Sequence, residues 1–108
     1  MDTLKLIKEN ILTTLKEEKI GVVEIFLFGS RARKRHTELS DYDLLIIVRN
    51  KLDGHTKREL RKKIFNKLHL TFPVVSFDII VKPKDEFEAE KQVVNTLSNE
   101  VLLEGIKI

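Results

Sequence analysis

The spacing of apolar residues changes several times along this chain of 108 residues, and each change predicts a new element. Near the N-terminus the apolar positions recur every three or four residues, which is typical of an amphipathic helix. These positions are Leu4, Ile7, Ile11 and Leu15. Asp2 is the predicted N-cap of this helix, and Gly21 is the predicted stop signal.

Three later stretches are rich in β-branched and aromatic residues, which predicts strands. They are VVEIFLF at 22–28, DYDLLIIV at 41–48 and VVSFDIIV at 74–81. The first two contain unbroken apolar runs, from Ile25 to Phe28 and from Leu44 to Val48. Because an unbroken run has no polar face, we expect both sides of these strands to be covered.

Helical spacing returns twice more, at residues 56–68 and 85–104, with a break expected in the second segment near 92–95. The predicted core positions are Leu60, Ile64 and Leu68 in the first segment, and Phe87, Val94, Leu97 and Val101 in the second. Gly105 is expected to end the last helix, and residues 106–108 to add a short extended edge.

The resulting order is helix, strand, strand, helix, strand, helix. It predicts an α/β (α+β) fold, a small mixed β-sheet of about three or four strands flanked by helices. The connection between the first two strands is shorter than a parallel crossover needs, so we expect that pair to be antiparallel. No repeat or linker interrupts the pattern, and residues 1–108 are therefore predicted to form a single domain.

Composition narrows the classes of function. Charged residues make up 34% of the chain with a formal net charge of +3, which permits an anionic partner without requiring one. The absence of cysteine excludes disulfides and thiolate metal sites. The sequence shows neither a signal peptide nor an apolar run of bilayer length, so we expect a cytoplasmic protein with no membrane partner.

Two carboxylates stand at the mouth of the second predicted strand. Asp41 and Asp43 are two positions apart, which on a strand directs both side chains to one face. Their like charges repel unless a cation lies between them, and Mg²⁺ prefers carboxylate oxygens. Asp78 interrupts an apolar strand, where an unpaired buried carboxylate would be costly. We therefore predict Asp41, Asp43 and Asp78 as catalytic metal ligands that together hold two divalent ions.

A phosphate-binding segment is predicted at the end of the first strand. Gly29 lets backbone N–H groups approach an anion closely, and the Ser30 hydroxyl adds a donor. A short helix beginning at Arg31 would direct its N-terminal dipole at the same anion. The basic residues that follow add positive field nearby: Arg33, Lys34 and Arg35. Gly29, Ser30 and Arg31 are therefore the predicted nucleotide-binding residues, facing a triphosphate.

These motifs carry a family resemblance. The stretch GSRARKRHTELSDYDL, followed by an aspartate on a later strand, resembles the signature of nucleotidyltransferases of the DNA polymerase β superfamily. Size and element order are similar to those of the minimal nucleotidyltransferases of that superfamily. The resemblance implies triphosphate binding at Gly29 and Ser30, and metal binding at Asp41, Asp43 and Asp78.

Two residues within the signature need a separate interpretation. Lys34 stands where family members often have a second glycine, which puts the geometry of the local turn in question. Tyr42, between the two aspartates, should face away from them, and we interpret it as a packing residue rather than an acceptor. The histidines, at positions 36, 55 and 69, lack metal-ligand spacing and are predicted to lie at the surface.

The resemblance also implies a partner. Minimal nucleotidyltransferases commonly pair with a helical HEPN-type protein, and in that pairing they resemble antitoxins that transfer AMP from ATP to a tyrosine of the partner toxin. The chain is thus expected to be a Mg²⁺-dependent protein adenylyltransferase. It leaves no room for an acceptor-binding domain, so the acceptor would come from another chain or from a second copy in a homo-oligomer. Nucleic acid is not required.

Two alternatives stay open at this point. One is a catalytically weak module that neutralises a partner toxin by contact, and the other is a transferase acting on a small hydroxyl compound. Taken singly, Asp41 is also explained as a turn or cap residue and Asp43 as a charge at a strand edge. Only the combination with Asp78, Gly29 and Ser30 favours a catalytic site.

Overall fold

The computed structural model describes residues 2–34, 37 and 40–108 of the chain. The helices are α1 (Thr3–Glu17), α2 (Gly29–Ala32), α3 (Gly54–Thr71), α4 (Lys84–Glu90) and α5 (Leu97–Glu104). The strands are β1 (Val22–Phe28), β2 (Tyr42–Val48), β3 (Phe77–Pro83) and β4 (Ile106–Lys107). Within the described ranges, no helix is both long and apolar enough to cross a membrane.

The strands form one mixed sheet in the order β3-β2-β1-β4. β1 pairs antiparallel with β2 and with β4, whereas β2 pairs parallel with β3. A parallel pair needs a crossover connection, and α3 supplies it between β2 and β3. The predicted mixed sheet and its antiparallel first pair are therefore confirmed, and β3 lies at one edge.

Helices cover both faces of the sheet, as the unbroken apolar runs predicted. All side chains from Ile25 to Phe28 and from Leu44 to Val48 are buried. The core under α1 and α3 includes Ile7, Ile11, Ile64, Leu68, Leu44, Ile46 and Ile79. The core under α4 and α5 includes Phe26, Phe28, Leu45, Ile47, Phe87 and Val101. Adjacent strand residues thus alternate between two apolar cores, which fixes the register of the sheet.

Local sequence signals set the helix ends. The side chain of Asp2 accepts hydrogen bonds from the first turn of α1, which confirms the predicted cap. Asp53 caps α3 in the same way, accepting from the Thr56 N–H at 2.7 Å. The break predicted near 92–95 falls between α4 and α5, where Thr96 caps the second helix.

Several predictions of boundary or burial are wrong, including the start of α2, which begins at Gly29 rather than at Arg31. The third strand begins at Phe77, and Val74 is 95% exposed because it lies in the turn that leads out of α3. Val94 is 73% exposed because the turn between α4 and α5 turns it away from the core. Finally, α1 ends at Glu17, and Lys19 rather than Gly21 takes the left-handed conformation after it, with φ of 59°.

Candidate active site

The register of the parallel pair places Asp43 and Asp78 side by side. These two residues are Cα partners across β2 and β3. Two positions further along, the partners Leu45 and Ile80 both pack in the core under α4 and α5. Because strand side chains alternate, Asp43 and Asp78 project from that same face. The fold therefore brings together two of the three carboxylates that the sequence singled out.

The positions of Asp41 and of Asp78 on β3 differ from what the sequence predicted. Asp41 is exposed and lies just before β2 begins. Asp78 is also exposed, so the expectation that it is buried inside an apolar strand is wrong. The reason is that β3 begins late, which makes Asp78 its second residue, at the edge of the sheet. The cost of burial therefore does not explain this aspartate, but its position beside Asp43 remains.

Asp43 lies in an unfavourable electrostatic environment. Burial raises the pKa of its carboxyl, and the negative charges of Asp78 and Asp41 raise it further. The positive charge of Arg33 acts in the opposite direction, while Glu100 of α5 adds to the rise. Asp41 thus shares one electrostatic field with the other two carboxylates although it lies outside the strand.

A divalent cation fits this donor set. In the part of the chain that the structure describes, no three acidic or histidine side chains already lie close enough to hold a metal ion. The charges that raise the pKa of Asp43 come from Asp78 and Asp41, so a cation among the three would offset their repulsion. Carboxylate oxygens are the ligands that Mg²⁺ takes most readily in proteins, alongside water and phosphate oxygens.

Gly29 is fitted closely against Asp43. It has φ of 72°, in the left-handed region, and it follows Phe28, the Cα partner of Asp43 across the β1–β2 pair. A Cβ atom added at Gly29 would lie 2.0 Å from Oδ2 of Asp43. Only glycine therefore allows the turn into α2 to pass over the carboxylate. Ser30 follows in α2 and is half-buried.

Arg31, a predicted nucleotide-binding residue, is hydrogen-bonded to two described residues that precede β2. Its Nε donates to the carbonyl oxygen of Ser40 at 3.0 Å, and its Nη2 donates to that of Thr37 at 3.5 Å. Its guanidinium carbon lies 3.8 Å from the centroid of the Tyr42 ring. Tyr42 also stacks on Phe77, which confirms that it packs. A contact of Arg31 with a nucleotide stays a prediction.

Arg33 is a cation whose charge lowers the pKa of Asp43, and its own ion pairs are with α5. Its Nη1 donates to Glu104 at 3.0 Å and to Glu100 at 3.4 Å, both on α5. The sequence indicated Arg33 only as part of a general positive field and gave no role to the two glutamates. Their spacing of one helical turn was the available signal, because it places both on one face of α5.

Of the remaining basic residues and histidines that the sequence analysis named, the structure describes Lys34, His55 and His69. Lys34 takes the left-handed conformation with φ of 57°, the conformation that the family's usual glycine favours. His55 and His69 are exposed, as predicted. Arg35 and His36 lie outside the described residues, so the predictions made for them stay predictions.

A glycine turn that faces carboxylates on two adjacent strands of a mixed sheet is suited to nucleotide transfer. The family described as nucleotidyltransferase domain matches residues 8–104, and the chain belongs to that family. The predicted family and the predicted enzyme class, a nucleotidyltransferase, are thereby confirmed. Among curated proteins, none matches the sequence.

Solved structures show the same fold. A proposed minimal nucleotidyltransferase is 27% identical with a TM-score of 0.60, and the match covers 100% of this chain and 97% of that one. A toxin-antitoxin structure with AMP-PNP is 21% identical, with a TM-score of 0.56 over 92% of this chain and 69% of that one. A tri-AMPylated Shewanella oneidensis HEPN toxin in complex with MNT antitoxin is 20% identical, with a TM-score of 0.54 over 95% and 69%.

Proposed function

We propose that this chain is a Mg²⁺-dependent nucleotidyltransferase that transfers AMP from ATP to a tyrosine hydroxyl of a HEPN-type partner toxin, as the antitoxin of a cytoplasmic pair. The observation that carries the proposal is the register that sets Asp43 beside Asp78, with Gly29 against the Asp43 carboxylate. Similarity to the AMP-PNP complex and to the complex of an AMPylated HEPN toxin supports the choice of donor and acceptor.

Each residue of the site has a role in this reaction. Gly29 and Ser30 bind the triphosphate through backbone N–H groups and a hydroxyl. Asp41 and Asp43 would hold the ion that accompanies the nucleotide, and Asp78 would complete a second ion site. When bound, Mg²⁺ supplies positive charge that stabilises the triphosphate and the departing pyrophosphate.

Asp78 is suited to receive the proton of the acceptor. Its carboxylate is exposed, so an incoming hydroxyl can reach it. As the tyrosine oxygen bonds to the α-phosphorus, the bond from that phosphorus to the pyrophosphate oxygen breaks, and the phenolic proton passes to Asp78. We further propose that residues 1–108 act as one domain and that the acceptor hydroxyl belongs to the HEPN-type partner.

The decisive experiment compares wild type with Asp78→Asn. Each protein is incubated with α-labelled ATP, Mg²⁺ and the protein encoded beside it. We expect label on the neighbour with wild type and a rate lower by about a hundredfold or more in the variant, because the proton acceptor is lost. Affinity for ATP with Mg²⁺ and for the neighbour should be unchanged in the variant.

Asp85→Asn is the matched control, because Asp85 is exposed in the first turn of α4 and has no role in the proposed site. It should label the neighbour at the wild-type rate. Transfer at full rate by Asp78→Asn would refute the assignment of Asp78. Tight binding without label, and equal protection of cells from a toxic partner by wild type and variant, would instead support neutralisation by contact.

A further inference from the structure

A groove runs along the outer edge of the sheet, between α3 and β3. It consists of two cavities of about 340 and 350 Å³, and Arg61 lines both. From α3 the first cavity takes Lys62 and Phe65 and the second takes Arg58, while β3 forms the opposite wall. We refer to this continuous surface, lined by Arg58, Arg61, Lys62 and Phe65 on α3 and by residues 78–81 on β3, as the edge groove.

The edge groove ends at the candidate active site. Asp78 lines its first cavity, and Asp78 is also the Cα partner of Asp43. Asp78 is the second residue of β3. An extended peptide that lies along β3 would therefore pass close to the Asp78 carboxylate at one end of the strand. The groove and the site therefore meet at the residue proposed to accept the proton.

The charge of the groove is strongly one-sided. Apart from Asp78, its charged lining side chains are all basic. Among the described residues, Lys62 pairs only with Glu59, at 3.6 Å, and ion pairs between exposed side chains contribute little. Lys57, which also lines the second cavity, is paired with Glu86 at 2.8 Å, whereas Arg58 and Arg61 form no ion pair with the described residues. Positive charge without a local partner favours an anionic ligand.

The backbone of β3 offers a second mode of binding. β3 lies at one edge of the sheet and pairs only with β2 among the described strands. An edge strand presents unpaired N–H and C=O groups, onto which an extended peptide can add as a further strand. Pro83 ends this surface, since proline has no N–H to donate, and Asp78 lies near the open end.

We infer that the edge groove binds an acidic, extended segment of the acceptor protein, which adds to β3 and brings its hydroxyl to Asp78. This inference rests on the function proposed above. A peptide explains both features of the groove, because its carboxylates pair with Arg58 and Arg61 while its backbone pairs with β3. Single-stranded nucleic acid stacks on successive aromatic platforms. Of the two aromatic residues that line the first cavity, Phe65 is 41% exposed and Phe77 is buried, so the groove offers one platform.

Binding is tested with a fluorescent tyrosine peptide flanked by three glutamates on each side, and with the same peptide carrying lysines. We expect the glutamate peptide to bind wild type, more weakly as salt rises, and the lysine peptide to bind at least about tenfold more weakly. Arg61→Glu should lower affinity for the glutamate peptide by about tenfold or more. Lys67→Glu is the matched control on α3, outside the groove, and should bind like wild type.

The added strand is tested with two glutamate peptides that are N-methylated at alternate residues. Alternate residues of a strand direct their N–H groups to opposite sides, so only one of the two should lose binding. Equal loss in both, or in neither, would exclude addition to β3. Binding of an oligothymidine in preference to the glutamate peptide would overturn the inference in favour of a nucleic acid.

Labelling of the co-encoded neighbour separates this inference from the proposed function. If wild type binds the glutamate peptide and Arg61→Glu does not, the groove is a binding site for acidic peptide, and the labelling then decides whether it is the acceptor site. If labelling of the co-encoded neighbour is unchanged in Arg61→Glu and requires Asp78, the proposed function stands and the groove is not the acceptor site. Loss of labelling in Arg61→Glu, with ATP affinity unchanged, would support both.

Discussion

Asp43 and Asp53 each accompany a glycine and the start of a helix, but the fold gives their carboxylates opposite environments. Asp53 precedes Gly54 and caps α3, and the hydrogen bond from the Thr56 backbone lowers the pKa of its carboxyl. Asp43 faces Gly29 at the start of α2, and burial together with the charges of its neighbours raises its pKa. One carboxylate stabilises its helix, whereas the surroundings of the other disfavour its ionised form.

The two glycines differ in the same way. A Cβ at Gly54 would meet no atom within 4 Å, whereas a Cβ at Gly29 would collide with Asp43. The start of α3 therefore satisfies its own polar groups and tolerates change. The end of β1 is constrained around a carboxylate whose unfavourable surroundings the charge of Arg33 offsets only in part. Such a local conflict is typical of a site whose ligand supplies the missing interactions.

The largest expected effect is on the rate of AMP transfer, which should distinguish Asp43 from Asp53. Asp43→Asn and Asp41→Asn should each lower the rate of AMP transfer by about a hundredfold or more, because each removes a proposed metal ligand. Asp53→Asn should label the acceptor at the wild-type rate. In the absence of metal, the melting temperature of Asp43→Asn should equal or exceed that of wild type, since the substitution removes like-charge repulsion.

A clear loss of stability in Asp43→Asn with transfer intact would mean that this carboxylate is structural. The melting temperature with added Mg²⁺ gives a second readout that does not depend on an acceptor. Wild type should gain stability from Mg²⁺ by mass action, and Asp43→Asn should gain less.

Alanine at the two glycines tests the same contrast through the backbone. Gly29→Ala should lower the free energy of unfolding by more than about 1 kcal/mol, because it combines a left-handed φ with a collision. It should also weaken ATP binding in calorimetry, since the phosphate turn must move. Gly54→Ala should raise the free energy of unfolding by about 0.5 kcal/mol, because glycine is entropically costly in a helix. Equal effects at both positions would contradict the close approach of Gly29 to Asp43.

The pH dependence of stability should have opposite signs at the two aspartates. The lowered pKa of Asp53 stabilises the fold above the pKa of the unfolded chain, and this stabilisation is lost as pH falls through the folded value. Wild type should therefore exceed Asp53→Asn in melting temperature at neutral pH and lose that advantage in acid. The raised pKa of Asp43 destabilises the fold as pH rises, so Asp43→Asn should exceed wild type at neutral pH and converge with it in acid. Parallel curves for the two variants would contradict the contrast.

The sequence correctly predicted those features of the fold that depend on local periodicity or on a helix cap. The unbroken runs of β1 and β2 identified a sheet covered on both faces, and Asp2 identified the start of α1. The exposure of Asp78 and Val94 was not predictable in this way, because it depends on where a strand begins and where a turn directs its side chains. The side-by-side placement of Asp43 and Asp78 required the parallel register, which is a tertiary property.

The pairing of Arg33 with α5 was also beyond the sequence. Its partners, Glu100 and Glu104, are separated from Arg33 by most of the chain, so no local pattern joins them. The sequence could indicate only which residue types lie at the end of one strand, such as the glycine after Phe28. Which opposing residue that glycine accommodates became clear only from the close approach to Asp43.

The smallest expected effect concerns Lys34, which follows α2 near the candidate active site. Its φ of 57° shows that the chain keeps a left-handed turn without the family's usual glycine, and such a residue carries backbone strain. Lys34→Gly should relieve it and raise the free energy of unfolding in urea by about 0.5 kcal/mol, after the entropic cost of glycine is subtracted. Lys19→Gly is the matched control, because Lys19 has φ of 59° after α1, away from the site. Both variants should gain similar stability and keep wild-type transfer rates. A loss of stability in Lys34→Gly alone would mean that the lysine side chain, rather than the turn, holds this segment.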